Sequence, residues 1–185
     1  MSVLADLRCA LSLEWKRPGD LIYLVGETGP ALGGSEFYEL MGYVGLSVPQ
    51  VNPEAFLAYY RLLELAGQSG LLASCHGVYR GGLAVHLALS SLAAVLGLEV
   101  DLSRVASESP GYAGLYAESA GRFLVSVDPA HAPRLEELFR GQPLYLLGRV
   151  GNDSTFRIIR HSRTLVEAPL ASLRTVWERR FGSLV

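Results

Sequence analysis

Short apolar runs alternate along this chain with segments of helical periodicity, and the alternation restricts the fold to a sheet packed against helices. Residues 21–25 (LIYLV) form a continuous apolar run, as expected for a strand covered on both faces. Residues 53–66 show the clearest helical pattern, with Asn52 as the N-cap and Pro53 in the first turn. The sequence therefore predicts a single α/β (α+β) domain with a mixed β-sheet flanked by helices.

The remaining predicted elements continue this alternation. Ser35 is the expected cap of a short first helix, and residues 161–163 can form a tight hairpin turn. Residues 106–121 are rich in Ser, Gly, Glu and Tyr and are predicted to be irregular. Further strands are predicted at residues 7–15, 71–75, 99–102, 122–127, 144–150, 155–159 and 164–166, and further helices at residues 36–41, 82–96, 128–139 and 170–180.

Size and charge exclude several classes of protein. A chain of 185 residues with 50% hydrophobic and 18% charged residues can bury the core of one domain. The net charge of −2 gives no electrostatic reason to expect nucleic acid or an anionic membrane as a partner. Fifteen of the 16 basic residues are arginine, so Lys16 is the only side chain that could form a Schiff base.

Cysteine usage and hydropathy indicate a cytoplasmic protein. Cys9 and Cys75 are far apart and belong to no CxxC pair, so neither a disulfide framework nor a zinc site is predicted. The four histidines lack the spacing of a metal pair. No run of eighteen apolar residues is free of charge, and the N-terminal residues do not resemble a signal peptide.

The first candidate site is the glycine-rich loop at residues 26–36, which lies between a buried strand and a helix. Successive backbone N–H groups in such a loop can bind an anion. The glycine spacing matches neither the Walker phosphate loop nor the dinucleotide fingerprint. Alternatively, Gly33 and Gly34 allow a tight crossover and Ser35 only caps the helix.

The second candidate is the segment at residues 74–83, where a strand, a turn and a helix start follow one another. Cys75 and His76 are adjacent and therefore point to opposite strand faces, so Cys75 is better interpreted as a core residue than as a nucleophile. Arg80, next to Gly81 and Gly82, could hold a phosphate or a carboxylate at the helix start.

The third candidate precedes the strand at residues 122–127. Glu118 and Arg122 could form either a ligand-binding pair or a structural salt bridge, and His86 is interpreted as a packed or edge histidine of an apolar helix. No catalytic residue and no metal ligand is predicted. The candidate ligand- or anion-binding residues are Gly33, Gly34, Ser35, Arg80, Gly81, Gly82, Glu118, Ser119 and Arg122.

Taken in order, these segments resemble one known family, the synthetase subunit of phosphoribosylformylglycinamidine synthase, and in particular its last domain. The resemblance extends over nearly the whole chain, including residues 147–150 and the helix around Trp177. The other segments that carry it are residues 18–28 (PGDLIYLVGET), 32–38 (LGGSEFY), 74–85 (SCHGVYRGGLAV), 99–102 (EVDL) and 116–123 (YAESAGRF).

The resemblance implies a function for a larger enzyme. The family converts formylglycinamide ribonucleotide to the amidine in purine biosynthesis, with ATP, Mg²⁺ and glutamine-derived ammonia, and it is related to aminoimidazole ribonucleotide (AIR) synthetase. It implies that residues 1–185 are one AIR synthetase-related C-terminal domain excised from a longer chain. It further implies that other domains hold ATP and Mg²⁺, that this domain needs no cofactor, and that glutaminase and small accessory subunits are partners.

The turn at residues 76–82 departs from the family pattern. The family has Asp, Ser and Asp where this chain has Gly77, Tyr79 and Arg80, so two carboxylates are replaced and one positive charge is gained. Such drift is expected on the non-catalytic side of the family's internal duplication, where Glu118 and Ser119 are counterparts of substrate-contacting residues.

Two other functions are compatible with the same residues. The chain could be a free-standing module that binds a nucleotide or a sugar phosphate through the glycine-rich loop, with Arg80 as the phosphate-binding side chain. It could also be a purely structural interaction domain with an apolar docking surface.

Overall fold

A seven-stranded mixed sheet forms the centre of the computed structural model, which describes residues 6–105 and 110–182. In sheet order the strands are β2-β4-β1-β5-β3-β6-β7. Neighbouring strands are antiparallel except β3 and β6, which are parallel. The strands are β1 (Leu21–Val25), β2 (Ser74–Val78), β3 (Leu98–Asp101), β4 (Arg122–Val127), β5 (Leu144–Val150), β6 (Thr155–Arg160) and β7 (Arg163–Pro169).

Six α-helices accompany the sheet in the described part of the chain. The predicted caps are confirmed: Ser35 Oγ accepts the N–H of Tyr38 at 3.2 Å, and Asn52 Oδ1 accepts the N–H of Ala55 at 3.1 Å. None of these helices combines the length and the apolar character needed to cross a bilayer. The helices are α1 (Glu36–Leu40), α2 (Pro53–Gln68), α3 (Gly82–Ala94), α4 (Gly111–Tyr116), α5 (Ala132–Leu138) and α6 (Leu170–Gly182).

Two apolar cores lie on opposite faces of the sheet. On one face, Leu83 and Leu87 of α3 pack with Leu115 of α4 and Leu170 of α6 against the sheet. On the other face, α2 and α5 cover Tyr23, Val25 and the facing residues of β4. This second core explains why residues 21–25 are apolar throughout, since both faces of β1 are covered.

At β3, β6 and β7, the face of the sheet that lies opposite the first core is not covered by helices of the described residues and carries charged side chains. Arg157 of β6 lies between two carboxylates, at 3.0 Å from Glu99 of β3 and at 3.1 Å from Glu167 of β7. Its neighbours Phe156 and Ile158 point to the opposite face and are buried. The period of two along β6 therefore separates a solvated face from a core face.

The predicted strand at residues 7–15 is wrong. Leu7–Cys9 form a single 3₁₀ turn, and the following residues run beside β2 with one backbone hydrogen bond, from the N–H of Cys75 to the carbonyl of Ser12 at 3.1 Å. Trp15 is 2% exposed and donates its indole N–H to Ser91 Oγ at 3.0 Å. Trp15 is thus buried by packing and not by pairing in the sheet, whereas Leu7 at the other end of the segment is 83% exposed.

The strand predicted at residues 71–75 begins three residues later, at Ser74. The N–H of Leu71 donates to the carbonyl of Ala66 at 3.0 Å, so Leu71 takes part in the C-terminal cap that follows α2 and not in the strand. Residues 110–121, predicted to be irregular, contain α4, while residues 106–109 lie outside the described part. The hairpin turn is confirmed, with positive φ at His161 and Ser162 between β6 and β7.

Candidate functional site

The three candidate segments meet at one end of the sheet because of the strand register. Val25, the last residue of β1, pairs with Phe123 near the start of β4, and Val78, the last residue of β2, pairs with Arg122. The loop after β1, the turn after β2 and the segment before β4 therefore leave the sheet at the same edge. The structure brings together residues that are up to 94 positions apart in the sequence, such as Thr28 and Arg122.

Glu118 connects two of these segments through a single carboxylate oxygen. Its Oε1 accepts the backbone N–H of Glu36 at 2.9 Å and the backbone N–H of Gly81 at 2.8 Å. Glu36 is the first residue of α1, and Gly81 is the N-cap residue of α3. A carboxylate is favourable at helix N-termini, where free N–H groups concentrate positive partial charge. Glu118 thus supplies, from within the chain, the negative charge that this position attracts.

Arg80 contributes an ion pair on the solvent side of the same group. Its Nη2 contacts Glu36 Oε1, and the two side chains are 79% and 37% exposed. An ion pair at this exposure contributes little to the free energy of folding. Arg80 therefore remains accessible to solvent on this turn.

Arg122 is the most deeply buried charged residue of the site, at 1% exposure. Its Nε donates to the carbonyl of Ser119 and its Nη1 donates to Thr28 Oγ1, both at 3.0 Å, while Nη2 donates to the carbonyl of Ala117. Burial lowers the pKa of Arg122 to about 10, which leaves the guanidinium charged at neutral pH. The side chain thus holds the 117–119 backbone against the loop after β1.

Ser119 is also used within the chain. Its Oγ accepts the N–H of Gly29 at 3.0 Å, and its carbonyl accepts the guanidinium of Arg122. Ser119 is 8% exposed. Ser119, through Gly29, and Glu118, through Glu36, therefore fix the loop at residues 26–36 from one side.

The glycine-rich loop directs its amides toward the following segment. The N–H of Gly33 donates to the carbonyl of Ser47 at 2.8 Å, and the N–H of Gly34 donates to the carbonyl of Val44 at 3.2 Å. A Cβ at Gly33 would lie 2.4 Å from the Ser47 oxygen, so this close approach requires glycine. An anion bound by these two amides would have to displace both hydrogen bonds.

Gly81 and Gly82 lie where the chain turns from β2 into α3. Both have positive φ, at +89° and +73°. A Cβ on Gly82 would lie 2.7 Å from the backbone of Tyr116, at the end of α4. These two glycines therefore allow α3 to start in contact with the chain that leads to Glu118.

A histidine pair beside this turn was not predicted by the sequence. His86 Nε2 accepts the backbone N–H of Tyr79 at 2.9 Å, and His86 Nδ1 is 2.7 Å from His76 Nε2. Because Nε2 of His86 accepts, its proton is on Nδ1 and is donated to His76. Burial and the neighbouring His76 lower the pKa of His86 to about 4. The ten-residue spacing of His76 and His86 is not a recognised signal for either a helix or a strand.

This pair predicts a dependence of stability on pH. The pKa of His86 is about 4 in the folded state and 6.5 without a fold, so between these values the unfolded state binds more protons. The contribution of neutral His86 to the free energy of unfolding is therefore fully present above pH 6.5. It decreases by up to about 3 kcal/mol as the pH falls toward 4. Urea unfolding at several pH values, compared with His86→Gln, measures this contribution.

The control for this experiment is His131→Gln, which removes an exposed histidine. The His86→Gln variant is expected to lose most of the decrease between pH 6.5 and 4, whereas His131→Gln should retain it. Equal slopes in all three proteins would contradict the assignment of the effect to His86.

Cys75 and His76 do not form a nucleophilic pair in this structure. Burial raises the pKa of the Cys75 thiol to about 11, so the thiol is protonated at neutral pH. Cys75 packs against the core beneath α2, while His76 is hydrogen-bonded to His86. Within residues 6–105 and 110–182, no group of three or more His, Cys, Asp or Glu side chains could hold a metal ion.

The departures at the β2–α3 turn fit one another sterically. A Cβ on Gly77 would lie 2.1 Å from the hydroxyl of Tyr79, so the ring of Tyr79 occupies the space left by the missing side chain. Tyr79 also contacts the rings of His76 and His86 edge-on. Relative to the family pattern, the changes to Gly77 and Tyr79 are therefore sterically compatible with each other. Arg80, the third departure, extends from the same turn to Glu36.

Comparison with known proteins places these residues in a family. Residues 17–161 match the sequence profile of a protein family described as "AIR synthase related protein, C-terminal domain". PurL of Thermobifida fusca, named phosphoribosylformylglycinamidine synthase subunit, is 34% identical over 188 residues, which include 100% of this chain and 24% of that protein. This chain thus spans about a quarter of the length of the curated relative.

Solved structures share the fold. PurL of Thermotoga maritima, solved in complex with FGAR, superimposes with a TM-score of 0.77 at 20% identity, over 89% of this chain and 29% of that one. The PurLQS structure from the same organism gives a TM-score of 0.74 at 21% identity, over 88% and 27%. Both confirm the predicted α/β fold with a mixed sheet. By its fold and by the match over residues 17–161, the chain belongs to the AIR synthase related family, as a C-terminal domain of that family.

Proposed function

We propose that this chain is the last domain of the synthetase chain of a phosphoribosylformylglycinamidine synthase, an ATP-dependent carbon–nitrogen ligase of purine biosynthesis. Its role there is structural: it flanks and covers a pseudo-active cleft, the counterpart of the catalytic cleft on the non-catalytic side of the family's internal duplication, and it docks on the other domains. The similarity to PurL over the full length of this chain supports the assignment to that enzyme. The proposal concerns residues 1–185 as one domain of a longer polypeptide.

The observation that carries the structural role is the internal use of the site residues. Glu118, Ser119 and Arg122 all donate to or accept from groups of this chain. A residue that binds substrate needs polar atoms that are free to reach the ligand. In this domain the same atoms instead join the loop after β1, the start of α3 and the start of β4.

The residues present do not fit ATP or Mg²⁺, which the family resemblance implies for the whole enzyme. The amides of Gly33, Gly34 and Gly81 are hydrogen-bonded within the chain. The described residues contain no cluster of metal-ligating side chains. We therefore assign both groups to other domains and assign no catalytic residue to this one. The exposed guanidinium of Arg80 is the group of this site best placed to meet an anion in the cleft.

The partners proposed follow from the same assignment. They are the other domains of the synthetase chain and, in the complete enzyme, the glutaminase and small accessory subunits, in the cytoplasm. The fold similarity to the chain of the PurLQS structure supports a place in such an assembly. Neither nucleic acid nor a membrane is proposed as a partner.

Two experiments test this function. The isolated 185-residue chain, supplied with formylglycinamide ribonucleotide, ammonia, ATP and Mg²⁺, is expected to form no amidine product, and turnover by it would overturn the proposal. A chimera in which this chain replaces the matched quarter of Thermobifida fusca PurL is expected to support growth without purines. The matched control is the same chimera carrying Gly82→Ala, in which the turn before α3 is disrupted.

The alternative, a free-standing phosphate-binding module, has less support from the geometry. Its glycine amides are already bonded to Ser47 and Val44, and Arg80 is paired with Glu36. It predicts that Arg80→Ala weakens phosphate binding by more than tenfold, about 1.4 kcal/mol. Titration of the isolated chain with inorganic phosphate, in the wild type and in this variant, distinguishes the two functions.

A further inference from the structure

The connection between α1 and α2 exposes an unusual number of apolar side chains. Leu46 is completely exposed, at 107%, and Leu40 and Val44 are each 84% exposed. Isolated exposed apolar residues are ordinary on protein surfaces, but a contiguous group of this kind marks an interaction site. We call this group the apolar strip; it consists of Leu40, Met41, Tyr43, Val44, Leu46, Val48 and Val51.

The apolar strip carries no charge. Residues 40–53 (LMGYVGLSVPQVNP) include no Asp, Glu, Lys or Arg. Depletion of charge is the compositional sign of the buried centre of an interface, whereas free surface normally mixes charges of both signs. It also disfavours an anionic lipid or nucleic acid as the occupant, because both are bound through Lys and Arg.

The strip is held in place by the candidate site. The carbonyls of Val44 and Ser47 accept the N–H groups of Gly34 and Gly33. Near the start of the strip, the ring of Tyr43 packs edge-on against the ring of Tyr38, with 5.8 Å between the ring centroids. A surface fixed in this way loses little conformational entropy when a partner binds.

An aromatic cavity lies at the start of the strip. Its volume is about 510 Å³, and its walls include Phe37, Met41, Tyr43, Val44 and Tyr112. Phe37 stacks on Tyr112 at 5.7 Å between centroids, which supports one wall. An aromatic pocket of this volume has room for more than one large apolar side chain of a partner, and such side chains are the usual anchors of a protein interface.

We infer that the apolar strip and its aromatic cavity are the surface through which this domain docks on an uncharged, apolar face of another domain of the same synthetase chain. The inference rests on the proposed function, and the length of the relatives supports the choice of occupant. The curated relative that matches this whole chain has about three-quarters of its own length outside the match; in a chain of that length, other domains of one polypeptide would be available at high effective concentration.

The test compares Leu46→Glu in two forms of the protein, the isolated 185-residue chain and the polypeptide expressed at its full native length from its own gene. Leu46 contacts solvent in this domain, so the isolated variant should keep the thermal midpoint of the wild type within 2 °C. In the full-length protein the same change should lower the midpoint of this domain by more than 5 °C, since it buries a charge at the interface. It should also make trypsin release this domain at least tenfold faster.

Val176→Glu, at an exposed position of α6, is the matched control and should be neutral in both forms. An unchanged full-length protein carrying Leu46→Glu would overturn the inference. So would concentration-dependent dimerisation of a native 20 kDa chain that Leu46→Glu abolishes, because the occupant would then be a second copy. Thermal and proteolytic readouts do not depend on turnover, so docking without ligase activity would reject the proposed function and leave this surface standing.

Discussion

Replacing Arg122 by methionine is expected to destabilise the domain by about 2–5 kcal/mol. The carbonyls of Ala117 and Ser119 would lose their donor in a region where Arg122 itself is 1% exposed. Each buried acceptor without a partner costs about 1–3 kcal/mol. Methionine fills a similar space, so the loss reports the hydrogen bonds and not a cavity. Urea unfolding of the isolated chain, followed by circular dichroism, measures the difference.

Two further variants make this result interpretable. Arg122→Lys retains a charge and donors but not the planar fork, and it should lie between the wild type and the methionine variant. Arg140→Met removes an arginine that is 79% exposed and should change stability by less than about 0.5 kcal/mol. If Arg122→Met behaved like Arg140→Met, the role of Arg122 in fixing the 117–119 backbone would be refuted.

Gly82→Ala is expected to destabilise the domain by about 2–4 kcal/mol. Its φ of +73° is unfavourable for a residue with a Cβ, and that Cβ would lie 2.7 Å from backbone atoms of Tyr116. Backbone cannot move aside as the end of a flexible side chain can. Either the start of α3 or the end of α4 must therefore shift. Thermal and urea unfolding of the isolated chain give the magnitude.

Gly34→Ala separates the two causes. Gly34 has almost the same φ, +72°, but no atom lies within 4 Å of the position of its Cβ. It should show the conformational penalty alone, about 1–2 kcal/mol. If the two alanine variants were equally stable, the steric contact between the β2–α3 turn and Tyr116 would be unimportant.

Much of the fold followed from apolar periodicity and capping residues. The run at 21–25 and the strand at 122–127 have the predicted bounds, and both predicted caps are in place. These features depend on neighbouring residues, which a sequence displays directly. The strand predicted at residues 7–15 is wrong because Trp15 is buried against α3, and packing on a distant helix leaves the same alternation of apolar residues as a strand.

The site was predictable in its residues but not in its connections. The side-chain chemistry of Arg80, Glu118 and Arg122 identifies them as candidates, and the register of β1, β2 and β4 brings their segments to one end of the sheet. The partners of Glu118 are backbone amides at Glu36 and Gly81, 82 and 37 positions away, and backbone groups leave no trace in side-chain patterns. The His76–His86 pair was not predictable from the sequence for a related reason. Its geometry depends on how β2 and α3 are placed relative to each other.

The segment that precedes β1 has a practical consequence for where this domain begins. The family match starts at residue 17, yet Ser12 shields part of the outer edge of β2, and Trp15 fills space against α3. A version trimmed to the match would expose the free N–H of Cys75 on an edge strand and leave a void of tryptophan size in the core. Such an edge can pair with strands of other molecules, so preparations trimmed to residue 17 are expected to aggregate more than those that retain residues 10–16.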